Sequence, residues 1–271
     1  MRTGVGRWAR LTAAWIFIGS TALAGNPEFS FEFFPGFVDA SPMTLADVDG
    51  DARLDAVSVG INPLRIQSQR GDGFGRFGSV VTTVVPTFFI AVAGGDFDAD
   101  GDDDLALLEN STSKVHIWRS LGDGTFAAWT TLGNATSTAS LLRCADVNAD
   151  GRDDVIATSN GLRVFTPTSS GSFLMGPAIT NGGASIKSYV LLDVDGNGLL
   201  DAATVDGQTN LRINTNLGLF GFSVTATILV PAPANELLLT DVDGDTIDDF
   251  AIVGTVTTPS KSCSVAIAPG L

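Results

Sequence analysis

Aspartate recurs at alternate positions in five short segments of this chain, and that spacing is typical of a cation-binding loop. The segments are DVDGDARLD at 47–55, DFDADGDDD at 96–104, DVNADGRDD at 146–154, DVDGNGLLD at 193–201 and DVDGDTIDD at 241–249. Carboxylates this close repel one another unless a cation neutralises them. Hard oxygen donors without His or Cys select Ca²⁺ over zinc or copper. The segments therefore predict up to five calcium sites.

Each segment offers a side-chain oxygen at its first, third, fifth and ninth positions. The predicted metal ligands are Asp47, Asp49, Asp51 and Asp55; Asp96, Asp98, Asp100 and Asp104; Asp146, Asn148, Asp150 and Asp154; Asp193, Asp195, Asn197 and Asp201; and Asp241, Asp243, Asp245 and Asp249. The seventh position varies between Arg, Asp, Leu and Ile, which favours a backbone carbonyl as the ligand there.

An EF-hand is the obvious alternative for such a loop, and the flanking sequence excludes it. An EF-hand needs Glu at position 12 and a helix on each side, whereas position 12 is Ser58, Leu107, Ala157, Thr204 or Ile252. The flanking runs are short and apolar, such as IAVAGG before the second segment and LALL after it, and such runs are typical of buried strands. Each segment is therefore predicted to be the bend of a strand–loop–strand hairpin.

The five segments start 47 to 50 residues apart, and a fixed period of this size is typical of a repeat architecture. A third strand follows each hairpin, for example KVHIWRS or LRVFTP. A glycine-rich turn such as GDGTF and a fourth strand such as SVVTTVV come next. Four strands per unit predict an all-β protein, a β-propeller with one four-stranded antiparallel sheet per blade. The phenylalanine after each glycine turn is expected to pack between blades.

The two ends of the chain bear on the number of blades. The segment FSFEFFPGFVDASPMTLAD resembles a fourth strand followed by a first strand, and SCSVAIAPGL stops at a third strand. An N-terminal strand that completes the last blade would close five repeats into a five-bladed ring without open edges. A fragment that pairs with another chain is the alternative.

The repeat is similar to the FG-GAP or VCBS-type repeat, which occurs in integrin α-subunit propellers and in many secreted bacterial proteins. The similarity lies in a strand, the motif D-x-D/N-x-D-G-x-x-D, an apolar strand and GDGTF, and it covers about residues 29–271. It implies a β-propeller whose loops bind Ca²⁺ through positions 1, 3, 5 and 9. Ala52 and Thr246 replace the glycine at position 6 in the first and fifth loops, which are therefore expected to bind more weakly.

The N-terminal segment is typical of an export signal. Arginines 2, 7 and 10 precede an apolar run at 11–22 and an Ala-Leu-Ala cleavage motif at 22–24. Residues 1–24 are predicted to be a signal peptide and 25–271 the propeller, with an uncleaved anchor as the alternative. No second apolar span follows, so we expect a secreted, extracellular or periplasmic protein. Cys144 and Cys263 lie at different places in their repeats, and whether they pair is left open.

The formal charge of −15 is concentrated, because most of the 30 acidic residues lie inside the five segments. Without a basic stripe to meet phosphate, nucleic acid is not expected as a partner. The remaining hypotheses are a binding or adhesion module for a glycan or protein, a structural surface scaffold without a discrete ligand, and a carbohydrate-active enzyme.

Few residues favour the hypothesis of an enzyme, so we expect no catalytic activity. His116 is the only histidine and is predicted to lie on a strand surface; Tyr189 is the only tyrosine; and Glu109 and Asp206 are the candidate glycosidase-like pair. Phe88, Phe89, Trp118 and Trp129 are the candidates for stacking on a sugar, with packing between blades as the alternative for each.

Overall fold

Every apolar run that flanks an aspartate loop in the described part of the chain forms a β-strand. The structure is a computed structural model that describes residues 40–134, 141–158, 161–179, 185–218, 221–230, 233–240, 249–256 and 262–268, and only the backbone of 40, 41, 134, 255, 256 and 262–268. Nineteen strands and no helix occur among these residues. None of the described residues forms a helix that is long and apolar enough to cross a bilayer.

The strands form five antiparallel sheets that follow one another in chain order. Sheet 1 contains β1 (Ala40–Ala46), β2 (Asp55–Ile61), β3 (Leu64–Gln69) and β4 (Val81–Val84). Sheet 2 contains β5 (Phe89–Gly95), β6 (Asp104–Glu109), β7 (Lys114–Ser120) and β8 (Phe126–Asn134). Sheet 3 contains β9 (Leu142–Ala145), β10 (Asp154–Thr158), β11 (Leu162–Pro167) and β12 (Phe173–Met175). The third strands predicted as KVHIWRS and LRVFTP are β7 and β11, so the four-stranded unit is confirmed.

The last two sheets repeat the same meander. Sheet 4 contains β13 (Ser188–Leu192), β14 (Asp201–Val205), β15 (Asn210–Asn216) and β16 (Phe222–Leu229). Sheet 5 contains β17 (Ala234–Thr240), β18 (Asp249–Val256) and β19 (Ser262–Ala268). The N-terminal strand predicted to complete this sheet falls within residues 1–39, outside the described residues, as does the predicted signal segment.

Four hydrophobic clusters join each sheet to the next. Val57 and Ile66 of sheet 1 pack with Leu105 and Trp118 of sheet 2. Equivalent clusters lie between sheets 2 and 3, sheets 3 and 4, and sheets 4 and 5. The second strand of each sheet is almost wholly buried, which explains why these strands are apolar on both faces. The phenylalanines predicted to pack between sheets do so at 126, 173 and 222. The prediction is wrong for Phe74 in the glycine-rich turn of sheet 1, which is 91% exposed.

The first strands of the five sheets face one another. β1, β5, β9, β13 and β17 all contribute residues to a single cavity of about 620 Å³. Two glycines allow β5 to approach both of its neighbours, because a Cβ at Gly94 would lie 2.4 Å from Ala46 Cβ and one at Gly95 would lie 2.7 Å from Cys144 Cβ. The arrangement sets the aspartate loops on one face of the molecule, where each first strand ends.

Candidate metal centre

The four loops at 47–55, 96–104, 146–154 and 193–201 are described, and each joins the first strand of its sheet to the second. The turn between the third and fourth strands lies at the same end of the sheet, because neighbouring strands are antiparallel. Residues 241–248 are outside the described residues, so the ligands predicted at Asp241, Asp243 and Asp245 lie there too. Asp249 is the first residue of β18.

The first aspartate of each loop organises the bend by accepting two backbone hydrogen bonds. The N–H groups of Asp51 and Ala52 donate to the two carboxylate oxygens of Asp47 at 3.1 and 2.7 Å. Asp96, Asp146 and Asp193 accept the same two bonds in their loops. The fifth residue then accepts the N–H of the seventh in all four loops. These bonds fix the carboxylates on the inside of a tight bend.

The ninth aspartate closes the base of each loop and is fully buried at 55, 104, 154 and 201. In loops 1, 3 and 4 its Oδ2 accepts the N–H of the second loop residue, at 3.1 Å from Val48, 3.0 Å from Val147 and 2.8 Å from Val194. Its Oδ1 accepts an N–H at the end of the third strand, from Gly71, Ser120 or Asn216. In sheet 3 the strand register puts Pro167 at this place. Proline has no N–H, and Asp154 Oδ1 is without a hydrogen-bond partner among the described residues.

Ligand oxygens converge in three of the described loops. Carboxylate oxygens lie within 4.8 Å of one another in three groups, which are Asp47, Asp49 and Asp55; Asp96, Asp98 and Asp100; and Asp193, Asp195 and Asp201. The predicted ligand positions 1, 3 and 9, or 1, 3 and 5, are therefore brought together. Loop 3 has Asn148 at its third position, whereas the asparagine of loop 4, Asn197, is at the fifth position and leaves the carboxylates at positions 1, 3 and 9 in place.

The donor set fits a divalent cation that prefers oxygen. Asp49 Oδ1, Asp98 Oδ1 and Asp154 Oδ1 are buried without a hydrogen-bond partner within the described part of the chain, and such atoms are costly unless something binds them. Burial raises the pKa of Asp104 and of Asp154 to about 7. Neighbouring loop aspartates contribute to this rise in both pKa values. A bound cation would favour the ionised form of these carboxylates.

Two arginines at the ends of third strands reach into the loops of their own sheets. Arg70 Nε lies 2.7 Å from Asp49 Oδ2. Arg119 pairs with Asp98, and its Nη2 lies 3.2 Å from Asp100 Oδ2. Because these arginines are about half exposed, each pair is screened by solvent and contributes little to stability. They partly neutralise loops 1 and 2 and lie beside the ligand oxygens.

Consecutive loops are joined by a reciprocal pair of hydrogen bonds, here called the aspartate link. Asp47 N donates to Asp103 Oδ2 at 2.8 Å, and Asp103 N donates to Asp47 O at 2.6 Å. Asp153 makes the same two bonds with Asp96, at 3.3 and 2.9 Å. Asp103 and Asp153 occupy the eighth loop position, which the ligand pattern does not include. Loop 4 has Leu200 there, so it has no carboxylate to reach loop 3.

A second contact, here called the strand-end link, runs from the end of a third strand to the loop before. Ser120 Oγ donates to Val48 O at 2.7 Å, and Asn216 Nδ2 donates to Val147 O at 2.7 Å. Pro167 occupies the equivalent place in sheet 3 and cannot donate from its backbone or its ring. Loops 1 and 2 are thus joined by both links, loops 2 and 3 by the aspartate link, and loops 3 and 4 by the strand-end link.

Positive φ angles occur at the fourth as well as the sixth loop position. Gly50 and Ala52 of loop 1 have φ of 68° and 63°, while Ala99 and Gly101 of loop 2 have 61° and 96°. Loop 3 matches loop 2, and loop 4 has glycine at both positions. The residue at position 6 alone predicted weaker binding in loops 1 and 5, and position 6 of loop 5 lies outside the described residues. The structure gives loops 1, 2 and 3 one strained alanine each.

The structure corrects two of the four predicted stacking aromatics. Phe89 and Trp118 are core residues of the cluster between sheets 1 and 2, with exposures of 0% and 8%. Phe88 and Trp129 are partly buried, and Trp129 packs against Phe173 and beneath the Arg119 guanidinium. An aromatic residue on these strands can either pack between sheets or stack on a ligand, and Phe89 and Trp118 pack between sheets.

One aromatic missed by the sequence analysis is on the surface. Phe74 is 91% exposed at the tip of the turn between β3 and β4. That turn, GDGFGRF, is longer than GDGTF of sheet 2. Asp72 Oδ1 holds it by accepting the N–H groups of Phe74 and Arg76 at 2.8 and 3.1 Å. The turn length was the signal that could have indicated a projecting ring.

The carboxylates considered for catalysis have separate partners. Glu109 accepts hydrogen bonds from Thr87, Ser111 and Thr112 and lies 3.3 Å from His116 Nε2. His116 is partly buried rather than the surface residue predicted. The Thr112 hydroxyl is the main cause that lowers the pKa of Glu109 to about 2.

Asp206 and Tyr189 are equally committed to local contacts. Asp206 pairs with Arg212 at 2.8 Å. Tyr189 is buried, and its hydroxyl donates to Ile156 O at 3.2 Å. Each of these groups is bound to a residue of its own sheet or of the neighbouring sheet.

The family of the chain follows from its repeated loop. The model of the FG-GAP-like repeat matches residues 47–107, 96–157 and 146–204, which together span more than half of the chain. This protein therefore belongs to the family of FG-GAP-like repeat proteins, as the sequence pattern predicted. No curated protein matches the chain.

Solved structures with a similar fold have low sequence identity. A lectin of Agrocybe aegerita, described as recognising non-reducing terminal N-acetylglucosamine, has a TM-score of 0.58 and 19% identity, over 93% of this chain and 73% of the lectin chain. BBS1N, solved in complex with ARL6DN, has a TM-score of 0.61 and 14% identity, over 90% of this chain and 71% of that chain. At these identities the similarity defines the fold, which is propeller-like and all-β.

Proposed function

We propose that this protein is an exported, calcium-binding β-propeller of five blades, and that it acts as a binding module for an extracellular glycan or protein. The observation that carries the proposal is the repeated loop, with converging carboxylates and buried oxygens that lack partners. Five sheets in chain order, with their first strands around one cavity, support the ring. The predicted signal at residues 1–24 supports export.

Calcium has a structural role in this proposal. Asp47 with Asp49 and Asp55, and the equivalent residues of the other loops, would hold the ion and lose their mutual repulsion. The aspartate and strand-end links join each loop to its neighbour, so an ordered loop supports the next. Calcium would thus stabilise the face on which all the loops lie, by mass action on the folded state.

The loop face also offers a surface for a partner. Phe74 projects from it, with the exposed side chains of Arg53 and Arg76 on the same loop and turn. An exposed ring beside charged groups is suited to stacking on a sugar or to anchoring a protein contact. The lectin of similar fold supports a glycan as the first class to test, and the BBS1N complex supports a protein as the second.

A glycan array that includes terminal N-acetylglucosamine tests this function, with the purified protein in calcium and in chelator. We expect calcium-dependent binding that Phe74→Ser abolishes and Leu217→Ser preserves, because Leu217 is an exposed apolar residue at the matching turn of sheet 4. A blank array from folded protein would contradict the glycan arm. Pull-downs with the same two variants would then separate a protein partner from a scaffold without a discrete ligand.

A further inference from the structure

The cavity between the first strands is lined mainly by residues with apolar side chains and by a single charged group. Its volume of about 620 Å³ lies in the range of sites for small organic molecules. Most of the lining residues have apolar side chains, among them Met43, Leu45, Val92, Leu142, Val190 and Leu239, and the first strands are the outer strands of their sheets, so polar backbone groups share the wall. Among the residues that the structure describes, the only charged one in the lining is Arg143, on β9. None of the described acidic residues lines the cavity, although the chain as a whole carries a charge of −15.

Arg143 lacks the carboxylate partner that several other arginines have. Arg70 and Arg119 are paired with loop carboxylates, and Arg212 is paired with Asp206. Arg143 is exposed, and its Cζ lies 5.4 Å from the centre of the Tyr189 ring. It has no carboxylate partner within the described residues. The Tyr189 ring is fully buried and fixed by its hydroxyl bond to Ile156 O, so it supports the guanidinium from one side.

The equivalent positions of the other first strands are uncharged. Three residues before the first loop aspartate, the chain has Thr44, Ala93, Val190 and Leu238 in place of Arg143. The guanidinium is therefore a feature of one wall and not of the repeat. A planar cation with several donors beside a set of apolar side chains matches a carboxylate attached to an apolar body.

We propose that this cavity binds a small organic monoanion, with its carboxylate on Arg143 and its apolar body against the first strands. Binding buries the apolar body and gives the guanidinium the anionic partner that the described residues do not supply. The site is separate from the aspartate loops and from the Phe74 turn. Its ligand differs in chemistry from both calcium and a glycan.

Calorimetry with three probes of one shape tests the site, namely 4-phenylbutyrate, 4-phenylbutan-1-ol and 4-phenylbutylamine. We expect one 4-phenylbutyrate per chain, bound more tightly than the alcohol, with the amine weakest. Arg143→Gln should weaken 4-phenylbutyrate about tenfold or more and leave the alcohol unchanged. Arg65→Gln on β3, outside the cavity, is the matched control and should change neither.

A second variant tests the location independently of the charge. Leu45 lines the cavity and is 42% exposed, so Leu45→Trp fills space with little strain and should weaken both the acid and the alcohol. Equal affinity for all three probes, an unchanged 4-phenylbutyrate affinity in Arg143→Gln, or no 4-phenylbutyrate binding by folded protein would each overturn the proposal.

Discussion

Loops 1 and 2 are joined by different contacts from those that join loops 3 and 4. Loop 2 reaches loop 1 through Asp103 and through Ser120, so two side chains share the junction. Loop 4 has Leu200 in place of the aspartate and reaches loop 3 through Asn216 alone. Loop 4 in turn has glycine at both positive-φ positions, whereas loop 2 has a strained alanine at one. Strong attachment thus accompanies local strain, and weak attachment accompanies a relaxed bend.

Removal of calcium should have the largest effect. Each filled site adds about 2.7 kcal/mol at a free concentration one hundred times its Kd, so chelation is expected to lower Tm by about 10 °C or more. Loop 4 should open before loop 2, because a single strand-end link joins it to the other described loops. Thermal melts and hydrogen exchange in calcium and in chelator measure both effects. An unchanged Tm would contradict the calcium proposal. Equal hydrogen exchange in loops 2 and 4 would show that the two loops are held equally well.

Asn216→Ala should have the next largest effect, because it removes the strand-end link that joins loops 3 and 4. Asn216 is buried and donates to both Val147 O and Leu200 O, so the variant leaves buried carbonyls unpaired. A loss of roughly 1–3 kcal/mol in the free energy of unfolding is expected. Ser120→Ala is the matched variant of loop 2 and should lose less, since Asp103 still holds that junction. Equal losses in urea unfolding would show that the two junctions do not differ as described.

The effect of pH on the calcium-free protein should be smaller and of defined sign. The folded-state pKa of Asp104 and of Asp154 is about 7, above the value of about 3.9 for an unfolded aspartate. The folded state therefore binds more protons between these values, and the stability that these groups add below about pH 4 is lost as the pH rises through 7. Tm in chelator should fall from pH 5 to pH 7.5, and calcium should remove this fall. A calcium-free Tm that rises over that range would contradict the assignment.

Ala52→Gly should give the smallest change, and in the opposite direction. Ala52 has a φ of 63°, a region that costs an L-residue roughly 1–2 kcal/mol and glycine almost nothing. Part of that relief is offset by the greater freedom of glycine in the unfolded chain, so a gain of about 1 kcal/mol or less is expected. Gly198→Ala is the reverse change in loop 4 and should destabilise. A destabilised Ala52→Gly would show that strain does not separate the loops.

The hairpins and the position of each loop could be predicted from the sequence, because a run of apolar residues after alternating aspartates leaves few alternatives to a buried strand. β7 and β11 have the bounds of the apolar runs that indicated them. The aspartates at 103 and 153 could not be given a role in this way, because the ligand pattern does not include a carboxylate at the eighth loop position. Their contacts cross from one repeat to the next and depend on how the sheets pack.

The same limit applies to residues whose role is set by a neighbouring strand. A proline at 167 is an ordinary strand end in the sequence, and only the register beside Asp154 shows that an N–H is missing there. Phe89 and Trp118 are of residue types that stack on sugars, but both are buried in the cluster between sheets 1 and 2. Local pattern defines the elements, whereas packing between repeats decides which side chains remain available.

The aspartate link has a consequence for how such a chain can change in length. Its two examples join residues 56 and 57 positions apart, so each repeat recognises only the one before it. Interactions limited to nearest neighbours make a repeat protein approximately one-dimensional. A whole unit can then be duplicated or lost and the units on either side still meet a matching partner, provided that the incoming copy has either aspartate at its eighth loop position or a side-chain donor at the end of its third strand. A single side chain thus works as the coupling of a modular chain.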